Sequence, residues 1–97
     1  MRERLVATIH GAVQGVGFRW FVMREADRRS VTGWTANEPA GSVTVVAEGE
    51  ARALDELLAL LREGPPGAQV YSVDERRLPP TGEFGGFSIR AVGHSGD

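Results

Sequence analysis

Residues 11–19, GAVQGVGFR, join an apolar run that alternates like a β-strand to a run with helical periodicity. The three glycines, Gly11, Gly15 and Gly17, permit tight turns and positive φ angles at which other side chains clash. Successive N–H groups of such a loop can point inward and form a concavity that binds anions. The start of the following helix adds unpaired N–H groups and a partial positive charge. We therefore predict a loop that holds a phosphate group.

Arg19 lies in the first turn of the predicted helix. Its planar guanidinium can donate two hydrogen bonds to oxygens of a bound phosphate or carboxylate. A cation is otherwise unfavourable beside the positive end of the helix dipole, and this favours a bound anion over an ordinary surface arginine. We predict that Arg19 and the loop bind the same anion.

The composition is that of one ordinary globular domain. The chain has 97 residues, of which 41% are hydrophobic and 25% charged, and this length suffices for one domain but not for two. We expect the domain to span residues 1–91 and to be followed by a flexible tail over residues 92–97. The formal net charge of −2 does not favour a broad basic surface for nucleic acid. Any anion must therefore be held locally.

The chain contains no cysteine, which rules out disulfides and thiolate metal ligands. His10 and His94 are far apart in the sequence, and neither lies within a pattern of metal ligands. We expect no metal and no cofactor. The N-terminus is charged and no apolar run of about 18 residues follows it, so we expect neither a signal peptide nor a membrane span, and a cytoplasmic location.

Hydrophobic periodicity predicts two helices. The first covers residues 18–29, and the second covers about residues 50–62 and ends at the turn formed by residues 64–67, GPPG. Each has an apolar face with helical spacing. The residues predicted to be buried are Phe18, Phe21, Val22 and Ala26 in the first helix and Leu54, Leu57, Leu58 and Leu61 in the second.

Alternating and β-branched runs predict the strands. They cover residues 5–10, 31–37 and 42–48, a fourth strand from residue 70, and a short last strand over residues 84–91. Residues 38–41, EPAG, mark a hairpin turn, and Gly49 is expected to end the third strand. The order strand, helix, strand, strand, helix, strand is the split βαβ pattern. We therefore predict an α+β fold with a mainly antiparallel sheet, both helices on one face and an extra short C-terminal strand.

Two separated motifs resemble the acylphosphatase family. Residues 11–19 match its glycine-rich segment, and residues 32–37, TGWTAN, with the following Pro39, Gly41, Ser42 and Val43, match its second motif. The Gly-Pro-Pro turn at residues 64–66, the spacing of Val70 and Val73, and the closing Phe87-Ser88-Ile89 are similar to the second half of the family. The resemblance covers about residues 4–90, and the two motifs match in residue type, order and spacing.

The resemblance implies a ferredoxin-like βαββαβ fold and the hydrolysis of carboxyl-phosphate anhydrides to a carboxylate and phosphate, without metal or cofactor. It implies that Arg19 binds the phosphate and that Asn37 holds the attacking water. Phosphoryl transfer mostly demands positioning and charge stabilisation. The expected phosphate-binding groups are the amides of Gln14, Gly15, Val16, Gly17 and Phe18 and the guanidinium of Arg19.

The expected partners are a small acyl phosphate and inorganic phosphate, as product or competitive inhibitor, and we expect a monomer. No strong side-chain base is evident in the sequence near Asn37, so a phosphate oxygen of the substrate is the expected proton acceptor. A non-catalytic module that binds phosphate or an acyl phosphate with the same loop is the alternative function.

Several positions depart from the residues that are usual in the family. Ser30 stands where glycine is frequent, and a left-handed conformation there costs serine about 1 kcal/mol. Arg29 stands where leucine is common, and we expect its charged end to lie in water. Ala36 replaces a larger residue before Asn37, and Glu38 adds a negative charge just beyond it. These departures bear on stability and substrate affinity more than on the reaction.

Simpler interpretations of the same residues stay open. Asn37 can be a turn asparagine before the hairpin, and Gln14 is more often a brace for such a loop than a substrate ligand. We expect Trp20 and Trp34 to serve packing or to lie half exposed. Some RNA-binding proteins share this order of elements, but they stack bases on aromatic side chains of the sheet, and residues 42–46 contain no aromatic residue.

Overall fold

The computed structural model describes residues 1–91. Within this range the elements follow one another in the predicted order. They are β1 Arg2–Ala12, α1 Phe18–Arg28, β2 Thr32–Asn37, β3 Val43–Glu50, α2 Ala51–Glu63, β4 Gln69–Leu78 and β5 Phe87–Arg90. Neither helix of this part of the chain has the length and apolar character needed to cross a membrane. The predicted tail over residues 92–97 lies outside the described residues.

The strands form a sheet with the order β4-β1-β3-β2-β5. β1 is antiparallel to both β3 and β4, and β2 is antiparallel to β3. β5 runs parallel to β2 and is the extra strand at the edge. This topology confirms the predicted α+β, ferredoxin-like fold with a mainly antiparallel sheet.

Both helices pack on one face of the sheet, because the strands alternate between an apolar and a polar side. Phe21 and Leu58, which were predicted to be buried, lie half-buried at the margin of this core. Burial of each large apolar side chain stabilises the fold by about 1.5–3 kcal/mol. The fully buried apolar residues are Leu5, Ala7 and Ile9 of β1, Val43, Val45 and Ala47 of β3, Val22 and Ala26 of α1, and Leu54, Leu57 and Leu61 of α2.

Gly49 does not end the third strand as predicted. β3 continues to Glu50, and Gly49 is a buried residue within it. A Cβ at position 49 would lie 3.1 Å from Cγ2 of Val31, which is tighter than most side-chain contacts. A side chain here would therefore have to displace Val31, which lies just before β2, by a few tenths of an ångström.

Gly11 lies in β1 and not in the loop as predicted. The pairing of β1 with β4 shifts by one residue between His10 and Gly11, which leaves Tyr71 of β4 without a partner. This β-bulge brings the backbone of β4 close to Gly11, whose φ is +136°, and a Cβ there would clash with the carbonyl oxygen of Gln69. Gly11 is therefore a glycine of the sheet, needed for close approach.

Arg29 does not extend into water as predicted. Its guanidinium donates hydrogen bonds to Oε1 of Glu25 at 2.8 Å and to Oε1 of Glu56 on α2 at 3.2 Å. Glu25 is only 8% exposed, and a buried carboxylate needs such a partner. The pair with Glu56 links the end of α1 to α2. The next residue, Ser30, has a φ of +55°, so the left-handed conformation considered from the sequence is present.

Glu48 of β3 is completely buried on the face of the sheet opposite the helices. Its carboxylate accepts hydrogen bonds from Nε of Arg4 at 2.7 Å, from the Thr81 N–H at 2.8 Å and from the Gly82 N–H at 2.9 Å. Burial raises the pKa of this carboxyl, but the Gly82 and Thr81 N–H groups and the Arg4 guanidinium outweigh it and lower the pKa to about 2. Glu48 thereby anchors the connection between β4 and β5.

The same connection explains why the last strand is shorter than predicted. The ring centroid of Phe84 lies 5.1 Å from the guanidinium carbon of Arg4, a distance typical of a cation–π contact. Phe84 thus packs over the sheet, and the last strand begins only at Phe87. The predicted strand was based on local alternation of residue types, which carries no information about a contact between residues distant in the sequence.

Candidate active site

The glycine loop, residues 13–17, connects β1 to α1. Gly15 and Gly17 both have φ angles of +77°, a conformation that L-residues with a side chain adopt only at a cost. A Cβ at either position would meet no described atom within 4 Å. These two glycines are therefore needed for backbone conformation, and the surface beside the loop is open to a ligand.

The start of α1 has no side-chain cap. Gly17 is the N-cap in a left-handed conformation, and neither a side-chain cap nor an acidic residue is present in the first turn. The first N–H groups of a helix need partners from outside it, and an anion at this end is stabilised by the helix dipole. The glycine loop and the start of α1 thus form an electropositive surface suited to a phosphate group.

Gln14 ties the glycine loop to the hairpin between β2 and β3. Its amide nitrogen donates hydrogen bonds to the carbonyl oxygens of Glu38 at 2.8 Å and Ser42 at 2.9 Å. The side chain of Gln14 therefore braces the loop, as the simpler interpretation had it. Its main-chain N–H is a separate group and is the one assigned to phosphate from the sequence.

Arg19 is the second residue of α1 and directly follows the glycine loop. Its side chain is half-buried and forms neither a salt bridge nor a hydrogen bond with any other residue in the range 1–91. Arg4, Arg29 and Arg77, by contrast, pair with carboxylates at 2.6–2.8 Å. Arg19 is thus a cation at the positive end of a helix with no anionic partner in the described chain.

Asn37 is the last residue of β2 and pairs with Val43 of β3. By the alternation of the strand it lies on the same face as Thr35, the face that the helices cover. Its carboxamide is half-buried and makes no hydrogen bond to another described side chain or to the described backbone. Because Gln14 binds the carbonyl of the next residue, Glu38, Asn37 and the glycine loop lie at the same end of the sheet.

Other polar and aromatic residues are engaged elsewhere. Nε2 of His10 lies 3.0 Å from a carboxylate oxygen of Asp74, and the ring of Trp34 lies 4.5 Å from the guanidinium of Arg90. Trp20 on α1 is 64% exposed. Within residues 1–91, no three or more His, Asp or Glu side chains are grouped so that they could hold a metal ion.

A surface cavity of about 400 Å³ is lined by Met1, Arg2, Arg77, Leu78 and neighbouring residues. It lies at the start of β1, whereas the glycine loop follows the end of this strand. A strand of this length separates the two by about 30 Å. The cavity is therefore unconnected with the candidate active site.

The acceptors that fix the glycine loop, the carbonyls of Glu38 and Ser42, were not identified from the sequence. A glutamine at the start of a glycine-rich loop is a signal for such a brace, because its amide offers two donors. The carbonyls that this amide contacts depend on how β1, β2 and β3 are arranged in the sheet. Neighbouring residues in the sequence do not reveal this arrangement.

Comparisons with known proteins identify the family and the fold of the chain. The family model described as "Acylphosphatase" matches residues 5–89. The chain is 44% identical over 87 residues to the acylphosphatase of Methylococcus capsulatus, covering 90% of this chain and 95% of the relative. It is 47% identical over 88 residues to the acylphosphatase of Salinibacter ruber, covering 91% and 93%. The crystal structure of acylphosphatase from Bacillus subtilis superposes with a TM-score of 0.88 at 34% identity, covering 91% of this chain and 98% of that one.

Proposed function

The chain belongs to the acylphosphatase family, and we propose that the glycine loop, Arg19 and Asn37 form its active site. The enzyme hydrolyses acyl phosphates to a carboxylate and inorganic phosphate. One observation carries the assignment of the site: Gln14 bonds the loop to the residue after Asn37. This contact holds the start of α1 and the Asn37 carboxamide, which has no hydrogen-bond partner within residues 1–91, at one end of the sheet.

In this proposal the glycine loop binds the phosphoryl group of the substrate. The main-chain N–H groups of Gln14, Gly15, Val16, Gly17 and Phe18 donate to its oxygens. The guanidinium of Arg19 donates from the adjoining helical turn. Donors fixed in advance stabilise charge that shifts during the reaction without having to reorganise. The open space beside the glycines supports such a bound group.

Asn37 positions the attacking water. Its carboxamide can accept a hydrogen bond from the water and donate another. The water oxygen forms a bond to phosphorus while the bond from phosphorus to the acyl oxygen breaks, and the carboxylate leaves with that electron pair. The proton of the water passes to a phosphoryl oxygen of the substrate. Because a carboxylate is a good leaving group, the reaction depends on positioning more than on acid catalysis.

The test of this function is the hydrolysis of benzoyl phosphate by the wild-type protein in the presence of a metal chelator. We expect release of benzoate and phosphate, with inorganic phosphate as a competitive inhibitor because it occupies the same loop. Phosphate binding without any release of benzoate identifies the non-catalytic binding module instead and contradicts the proposed reaction.

The enzyme is a monomer in this proposal. Unpaired sheet edges invite pairing with another chain, and both edges here are protected. β4 carries a bulge at Tyr71 and the charged run of residues 74–77, DERR, and is followed by Pro79 and Pro80. β5 has only four residues. Light scattering should give a mass near 10.4 kDa, and a stable mass of twice that value rules out the monomer.

No nucleic acid and no oxidising compartment are part of this function. The net charge of −2 opposes a polyanion, and a chain without cysteine has no disulfide to form. Both features support a cytoplasmic enzyme that acts on small acyl phosphates. Cell fractionation tests the location. Retarded migration of a nucleic-acid probe in the presence of the protein contradicts the prediction that it binds no nucleic acid.

A further inference from the structure

We propose that Glu38 makes the enzyme discriminate against acyl phosphates whose acyl group carries a negative charge. This inference rests on the proposed function, because it assumes that the phosphoryl group occupies the glycine loop. The enzyme then selects substrates by the charge of the acyl group and prefers neutral and cationic groups.

The backbone of Glu38 is fixed beside the glycine loop. Its carbonyl oxygen accepts hydrogen bonds from the Gln14 amide at 2.8 Å and from the Gly41 N–H at 3.0 Å. Its N–H donates to the carbonyl of Ser42 at 2.8 Å. The residue directly before it is Asn37. The side chain of Glu38 therefore starts from a fixed main chain beside the glycine loop.

The charge of Glu38 is not neutralised by the described chain. Most other carboxylates of the molecule have a cationic partner, as Glu25 has Arg29 and Glu48 has Arg4, but Glu38 forms no salt bridge with any residue in the range 1–91. The hairpin segment over residues 36–42, ANEPAGS, contains no lysine or arginine. The side chain is also half-buried, so its field is less screened by solvent than that of a fully exposed group.

The two ends of an acyl phosphate meet different surroundings. The loop N–H groups and Arg19 compensate the charge of the phosphoryl group. The acyl group projects away from the loop N–H groups, and Glu38 is the one charged residue of the hairpin segment that Gln14 joins to this loop. Two like charges about 9 Å apart at an effective dielectric constant of about 50 change an equilibrium by roughly three- to fivefold. An additional carboxylate on the acyl group meets this repulsion, whereas a neutral group does not.

The experiment compares kcat/KM for benzoyl phosphate and 4-carboxybenzoyl phosphate, which differ by one distal negative charge. Wild type should prefer the neutral substrate, and Glu38→Gln should reduce this preference about three- to fivefold. Glu38→Gln keeps the main-chain carbonyl to which Gln14 donates. Glu38→Lys should reduce the preference further or reverse it. Raising the salt concentration from about 0.05 to 0.5 M should reduce the wild-type preference and leave that of Glu38→Gln nearly unchanged.

Asp27→Asn is the matched control, because it removes one negative charge from the far end of α1 and should leave the preference and the turnover of benzoyl phosphate unchanged. The inference is overturned if Glu38→Gln keeps the wild-type preference for the neutral substrate. It is also overturned if the variant loses activity equally on both substrates, because Glu38 then has a role common to all acyl phosphates. A wild-type protein that hydrolyses neither substrate overturns the proposed function itself. The two failures are thus distinguishable.

Discussion

Gln14 and Glu38 are joined by a hydrogen bond of 2.8 Å from the side-chain amide of the first to the main-chain carbonyl of the second. A second bond from the same nitrogen reaches Ser42 at 2.9 Å. Gln14 starts the segment that presents its N–H groups to an anion, and Glu38 follows the strand that ends in Asn37. One side chain thus sets the spacing between the two halves of the proposed site.

Gln14→Ala should lower kcat/KM for benzoyl phosphate at least about tenfold, because small displacements between reacting groups are costly. It should also lower the free energy of unfolding by about 0.5–1.5 kcal/mol, since two hydrogen bonds are lost while each carbonyl keeps its main-chain donor. Gln14→Glu has the same length but places an acceptor against both carbonyls, so it should be no better than Gln14→Ala. Steady-state kinetics and urea unfolding measure these effects, and wild-type activity in Gln14→Ala contradicts the bracing role.

The glycines of residues 11–19 should respond differently to substitution. Gly11→Ala should destabilise the protein by at least about 3 kcal/mol, because the new methyl group clashes with the backbone of β4. Gly15→Ala should cost about 1–2 kcal/mol through its backbone conformation alone while weakening phosphate binding. Urea unfolding of both variants measures the difference. Equal losses of stability in the two variants would contradict the steric need for glycine at position 11.

The buried Glu48 carboxylate, to which the Gly82 and Thr81 N–H groups and Arg4 donate hydrogen bonds, should make stability depend on pH in the acid range. The pKa of Glu48 is about 2 in the folded protein, below its ordinary value of 4.5. A lowered pKa means that the contribution to stability is complete above about pH 5 and is lost as the pH falls toward 2. Glu48→Gln should be less stable than wild type by about 3 kcal/mol at pH 7.

Urea unfolding between pH 7 and pH 2 measures this effect for wild type and Glu48→Gln. The difference in unfolding free energy between them should shrink as the pH falls, because protonation removes the charge that the variant lacks. Asp27→Asn, which changes a carboxylate without a salt bridge in the described chain, should show no such trend. A difference that stays constant down to pH 2 contradicts the low pKa of Glu48.

The parts of the fold that could be predicted are those encoded over a few residues. The alternation of Leu5, Ala7 and Ile9 defines a strand, and the leucine spacing of the second helix defines its buried face. The glycine loop and the hairpin of residues 38–41 follow from local turn chemistry. Short connections and the order of elements then restrict the topology to the split βαβ arrangement.

The parts that could not be predicted depend on contacts between distant segments. Gly11 looked like a loop glycine because the bulge in β4 that requires it lies some 60 positions later in the chain. Arg29 was placed in water because the sequence does not reveal its carboxylate partner Glu56 on the other helix. The strand pattern around Glu48 does not reveal that its carboxylate accepts hydrogen bonds from the N–H groups of Thr81 and Gly82.

Arg19→Ala should remove both phosphate binding and turnover, because the guanidinium is proposed to contact the phosphoryl group before and during the reaction. The loss in kcat/KM should be on the order of 10² or more, as for single donors to a developing anion. Trp20, which follows Arg19 and is 64% exposed, offers a fluorescence signal for the phosphate titration. Phosphate binding and turnover that both equal those of wild type exclude Arg19 from the site.

The most direct test is the kcat of Asn37→Ala on benzoyl phosphate, measured on protein whose circular dichroism spectrum matches that of wild type. If Asn37 positions the attacking water while the glycine loop and Arg19 hold the phosphoryl group, kcat should fall on the order of 10² or more while the Kd for inorganic phosphate changes little. A kcat close to that of wild type contradicts this account of the active site.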